Sequence, residues 1–186
     1  MSRRAALLLA AALWAAGTAT ARAAEVLAVE VSHNQGRYGV HFDVRLAAPL
    51  PRLARYINDY ERYAEYFGPI TESTVLARGP DGRVRLRLRA EACILFFCRT
   101  ATVVKDVIDN GRGDIWAHAD PRFSDFHEVS ERWRIRPEGA QTRMEYNATL
   151  VPKFFVPPLI GPWVIKLRIR DSLLSGAETL ETLARE

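Results

Sequence analysis

The chain has 186 residues, of which 48% are hydrophobic and 26% charged, and its formal net charge is +4. Residues 1–23 hold three arginines and no acid, so the remainder carries a net charge of only about +1. So small an excess argues against nucleic acid as a partner, because nucleic-acid binding needs a clustered basic surface. Without residues 1–23, roughly 160 residues remain, with no repeat, low-complexity tract or Pro/Gly-rich linker, which is the size of one domain with one sizeable core.

Residues 1–23 have three parts: a basic start at Arg3 and Arg4, an apolar run over residues 5–16, and a small-residue end at Ala21-Arg22-Ala23. This is the layout of a secretory signal peptide cleaved before Ala24. The run of about a dozen residues is short of the roughly 20 that a spanning helix needs. No cysteine follows the run, which argues against a lipid-modified start. The expectation is a signal peptide over residues 1–23 and one domain over 24–186, in a periplasmic or secreted protein.

Leu27, Val29 and Val31 alternate with smaller or polar residues, and a turn follows at Asn34-Gln35-Gly36. Tyr38, Val40, Phe42, Val44 and Leu46 then share one parity, the pattern of a half-buried strand. Pro51 suits a first helical turn. Leu53, Ile57, Tyr60, Ala64 and Phe67 recur at helical spacing, with a break near Asn58 and a stop at Gly68-Pro69.

Strands follow, starting with residues 74–77. Val84, Leu86, Leu88, Ala90 and Ala92 alternate with four arginines and Glu91, and residues 100–108 and 115–119 give two more strands. Val129, Glu131, Trp133 and Ile135 share a parity, as do Met144, Tyr146, Ala148 and Leu150. Connections this short favour antiparallel neighbours. Beyond Gly161-Pro162 the period changes, and Ile165, Ile169, Leu173, Ala177, Leu180 and Ala184 mark one face of a long helix. The fold class expected is α+β, with an antiparallel sheet curved around a long C-terminal helix.

Cys93 and Cys98 are the only cysteines. In an oxidising compartment they are disulfide candidates. A continuous strand would hold their Cα atoms roughly 17 Å apart, so a bridge requires a turn at residues 94–97. The alternative is two buried free thiols.

Several of these segments resemble the START-like superfamily, which includes polyketide cyclases and coenzyme-Q-binding proteins. Asp59-Tyr60 with Tyr63 is similar to the family's helix segment, and Pro69-Ile70 with Ser73 to its entry into the next strand. Ser124-Asp125-Phe126, Leu150 with Pro152, and Pro157-Pro158 with Gly161-Pro162 resemble one branch of it. The resemblance runs from about residue 37 to 184 and implies a helix-grip fold enclosing an apolar cavity. It specifies the ligand poorly, since this fold carries binders and enzymes alike. A signal peptide and a cysteine pair depart from intracellular quinone-binding relatives.

By this resemblance the cavity candidates are Tyr38, Val40, Phe42, Leu86, Leu88, Trp133, Met144 and Tyr146. Glu131 and His127 join them on the inward parity of their strand. A carboxylate facing an apolar interior is costly unless paired, so Glu131 either orients a ligand's polar head or sits where the strand lets it reach water. Phe96 and Phe97 at a turn, and Phe154, Phe155 and Trp163 before the last helix, form either a lid, a membrane-docking tip or packing against a helix end. The arginine rows, Arg83 to Arg89 at alternate positions and Arg132, Arg134 and Arg136, share their faces with carboxylates and read as a wet sheet surface.

His33, His41, His118 and His127 lack metal-ligand spacing, and neither a phosphate loop nor a nucleophile elbow is present. The sequence calls for no cofactor, no metal and no catalytic residue. The expected function is binding or carrying a hydrophobic small molecule of lipid or isoprenoid type, with transient membrane-surface contact. The alternatives are a cyclase-like enzyme using the same cavity and an envelope protein-interaction module.

Overall fold

The computed structural model describes residues 24–94 and 97–185. The expected signal peptide, Phe96, and the side chains of Cys93 and Phe97 lie outside what it describes.

Strands β1 (Glu25–Asn34) and β2 (Arg37–Leu46) form a hairpin, followed by helix α1 (Leu50–Ile57). Pro51 lies in the first turn of α1, where its missing N–H is not needed. The helix ends at Asn58, and the chain resumes as a 3₁₀ turn (Tyr60–Arg62) and a short helix α2 (Tyr63–Tyr66). The break falls where the sequence pattern weakens. Six strands follow: β3 (Ile70–Arg78), β4 (Val84–Ile94), β5 (Phe97–Asp109), β6 (Asp114–Ala119), β7 (Phe126–Glu138) and β8 (Gln141–Pro152). Helix α3 (Gly161–Leu183) closes the chain.

All eight strands form one antiparallel sheet in the order β1-β2-β8-β7-β6-β5-β4-β3. The β1–β2 hairpin is thus inserted beside the last strand, so both halves of the chain must meet before the sheet is complete. The alternation of side chains puts Val44, Leu46, Leu86, Met144 and Ile135 on one inner face, all buried. Thr142 secures the turn into α1, its buried hydroxyl donating to the Ala48 carbonyl at 2.8 Å.

Helix α3 makes its most extensive close backbone approaches to β1, β2, α1 and α2. Its start is held tightly, because Gly161 is packed against Val156 with no room for a Cβ. No helix among the described residues is long and apolar enough to cross a membrane.

Candidate functional site

The helix covers the inner face unevenly. Beneath it and α1, Val40, Phe42, Leu46 and Leu53 are buried. Towards the middle strands, Leu88, Trp133 and Leu150 keep part of their surface accessible while packing against the core. Tyr38, Val40, Phe42, Leu86, Met144 and Tyr146 are buried on the same face, so these cavity candidates do come together. The rings of Trp133 and Tyr146 lie 4.1 Å apart between centroids, on neighbouring strands.

Glu131 sits among them. Its neighbours across the sheet are Ala117 of β6 and Ala148 of β8, two small residues that leave room for its side chain. Lys105 of β5 reaches it, with Nζ 2.5 Å from Oε2, and the Tyr146 hydroxyl donates to Oε1 at 3.3 Å. The Lys105 and Glu131 side chains are only 12% and 13% exposed. An ion pair this deep is costly to desolvate and contributes little net stability. Burial, reinforced by the Glu131 charge and hydrogen bond, pushes the Tyr146 hydroxyl well above the ordinary phenol range. Tyr63 of α2 is shifted the same way by burial, by Tyr60 and then by Glu131, and its hydroxyl donates to the Ile57 carbonyl. Both rings therefore stay protonated. The Tyr38 hydroxyl is also buried and has no hydrogen-bond partner among the described residues.

Lys105 and Tyr63 are site residues that the pattern reading missed. The signal was present for Lys105, since it shares one parity with Val103 and Val107. His127 fails as a cavity residue, because it is exposed. A register irregularity between Phe126 and Glu128 breaks the alternation just before Val129, so counting inward parity back from Val129 misplaces His127.

The apolar segments divide. Phe154 is half-buried, with its ring edge-on to Phe126 at 5.7 Å and the Arg99 guanidinium 4.6 Å above it. Phe155 and Trp163 are exposed. Arg99 follows Cys98 directly, so the β4–β5 hairpin end and the segment before α3 are spatial neighbours.

The outer face bears the arginine rows, and most are paired. Arg87 and Arg89 share Glu72, Arg85 bridges Asp106 and Asp120, Arg134 meets Glu145, and Arg136 meets Asp114. Hydrogen bonds from Arg122 and then Arg85 hold the Asp120 carboxyl far below the ordinary carboxylate range. A shallow groove of about 520 Å³ on this face is lined by polar groups, and the Arg132 guanidinium lies over its Trp116 ring. Val40, Ala148 and the Trp116 ring also line it, beside His41, His118 and Asn147.

A curved antiparallel sheet, a gripping C-terminal helix and a polar cluster set in an apolar inner face define a START-like α+β protein. Residues 46–169 match the family model described as polyketide cyclase / dehydrase and lipid transport, and the chain belongs to that family. A START superfamily protein from Mycobacterium smegmatis is 27% identical, with a TM-score of 0.63 over 79% of this chain and 97% of that one. The Zhui aromatase/cyclase from Streptomyces sp. R1128 is 18% identical, with a TM-score of 0.65 over 80% of this chain and 94% of that one. A STAR-related lipid transfer protein from Xanthomonas axonopodis is 13% identical, with a TM-score of 0.61 over 85% and 99%. No curated protein is similar in sequence to this chain.

Proposed function

We propose that the protein is a periplasmic carrier of a lipid- or isoprenoid-like molecule, exchanging it in transient contact with a membrane surface. The apolar body of the ligand lies between the inner face and α3, and its polar end meets Lys105, Glu131 and Tyr146. One observation carries this reading: an ion pair with a protonated phenol beside it lies in an apolar face that α3 covers only in part. Stability does not call for such a pair. A hydroxyl or carbonyl on the ligand would use the donors of Lys105 and Tyr146 and the acceptors of Glu131, while the apolar walls bury the remainder.

Export rests on the three-part layout of residues 1–23. An exported location in turn favours a Cys93–Cys98 disulfide. The two residues are direct partners across the β4–β5 hairpin, a pairing whose Cα separation of roughly 4.5–5.5 Å falls within disulfide range. N-terminal sequencing of the exported protein tests the first point, and thiol counting under denaturing, non-reducing conditions tests the second.

Uptake of a fluorescent long-chain alcohol tests the carrier. Wild-type protein takes it up, and Lys105→Met or Glu131→Gln weakens binding about tenfold, the size of one charge-assisted hydrogen bond. Uptake by both variants equal to that of the wild type rules out the polar anchor. A cyclase-like enzyme is the second reading, favoured by the family description and by Tyr146, a phenol kept protonated next to a carboxylate. It predicts turnover of a poly-carbonyl substrate that Tyr146→Phe abolishes without loss of folding.

A further inference from the structure

The four most exposed large apolar side chains among the described residues cluster at one place, and Leu167 adjoins them. Leu159 is 94% exposed, Phe155 81%, Trp163 67%, Ile160 60% and Leu167 41%. Ile160, Trp163 and Leu167 recur at three- and four-residue spacing along the first two turns of α3, so they form one stripe facing away from the sheet. Farther along the same side the stripe turns polar, with Arg170, Asp171, Ser175 and Glu178 exposed. A helix start that exposes its apolar stripe while its later turns expose charge is amphipathic toward something outside the protein.

Charge identifies what that something is. Residues 153–170 contain four cations, Lys153, Lys166, Arg168 and Arg170, and no carboxylate. Lys166 and Arg170 lie three and seven residues beyond Trp163, flanking the stripe. A second copy of the chain fits poorly, because a two-fold contact through this stripe would set these cations against their own counterparts. An anionic bilayer surface fits both features. Apolar side chains enter the interface, Trp at headgroup depth, and the cations meet lipid phosphates.

We infer that residues 155–170 are a docking face for an anionic phospholipid surface, on which the first two turns of α3 lie in the plane of the interface. This builds on the carrier reading above by naming the surface and the face that meets it. Arg99 over Phe154 places this part of β5 beside the face.

Co-sedimentation with vesicles tests the inference, using the exported protein and vesicles of phosphatidylcholine alone or with phosphatidylglycerol. Binding is expected with phosphatidylglycerol, to weaken as salt rises, and to be slight with phosphatidylcholine alone. Lys166→Gln with Arg170→Gln should weaken anionic-vesicle binding by roughly 25-fold, about fivefold for each cation near the surface. Trp163→Ser with Leu167→Ser should weaken binding by at least about tenfold through loss of apolar insertion. Both pairs are surface changes, and unchanged thermal melting confirms that the variants are folded. Absence of binding to phosphatidylglycerol vesicles, or binding by both variants equal to that of the wild type, overturns the inference. So does a dimer in sedimentation equilibrium that the Ser variant breaks. Uptake of the fluorescent alcohol in the same samples separates the two readings. Lost docking with intact uptake defeats this inference alone, whereas intact docking without uptake defeats the carrier.

Discussion

The two ends of the sheet's inner face obey different rules. Where β2 and β8 meet α1 and α3, Val44, Leu46 and Leu53 are fully buried and the hydroxyl of Thr142 is satisfied. Over β5, β6 and β7 the same face carries a lysine, a glutamate and a half-accessible tryptophan. Packing for stability favours the first arrangement and would replace the second with leucine. On the carrier reading, the first half supports the fold and the second is shaped for a ligand.

Substitutions in the two halves should therefore separate stability from binding. Leu53→Ala or Leu46→Ala should cost about 2–5 kcal/mol in urea denaturation, because neither site can collapse around the lost volume. Leu88→Ala, in the half-open region, should cost less than about 2 kcal/mol and mainly reduce ligand uptake. Equal losses in both regions would erase the distinction.

A second contrast lies within the polar cluster. Lys105→Met leaves the Glu131 carboxylate without its cation and should destabilise by about 3 kcal/mol, less whatever the residual water access recovers. The double change Lys105→Met with Glu131→Leu should restore most of that stability while ligand uptake stays lost. A double variant that remains as unstable as the single would mean that the pair is structural.

At the hairpin end, Cys98→Ser should cost about 2 kcal/mol on the chain-entropy estimate for a short closed loop. Reductant should destabilise the wild type by the same amount and leave the variant unmoved.

The smallest effects belong to the outer face. Asp43 and Asp120 are held below the ordinary carboxylate range, Asp43 chiefly by its hydrogen bonds from Arg143. Their contribution is present above the unfolded-state carboxylate value of about 4 and is lost as pH falls toward the depressed folded-state values. Asp43→Asn should therefore flatten the acid limb of a stability–pH curve and leave ligand uptake unchanged. Arg87→Gln, removing one exposed pair with Glu72, should change stability by less than about 1 kcal/mol.

Most of the fold was legible because strand parity is a strong signal. The alternation in residues 38–46, 84–90 and 144–150 predicts the inner face that the structure has, and the period change after Pro162 predicts α3. The site was partly legible. Glu131 stood out by its parity, and the structure gives it the partners that its burial demands. Lys105 was missed because a lysine in a strand reads as solvent-facing until the parity of Val103 and Val107 is counted. His127 was misplaced because a local register shift leaves no mark in composition. The arginine rows were read as a wet face, and they are, though the carboxylates that pair with Arg85, Arg87 and Arg89 are Glu72, Asp106 and Asp120, which come from other strands and a turn. Pairing across strands depends on sheet order, which no local pattern contains. The exposure of Leu167 was equally hidden, since an apolar helix start usually packs inward.

The account's central claim is that the half-open inner face holds an apolar molecule anchored at Lys105 and Glu131. Native mass spectrometry of the exported protein, followed by solvent extraction, tests it most directly. The account predicts an apolar molecule of defined mass bound to the wild type and much depleted in Glu131→Gln. A folded protein that is empty as isolated and takes up no long-chain alcohol or lipid would contradict it.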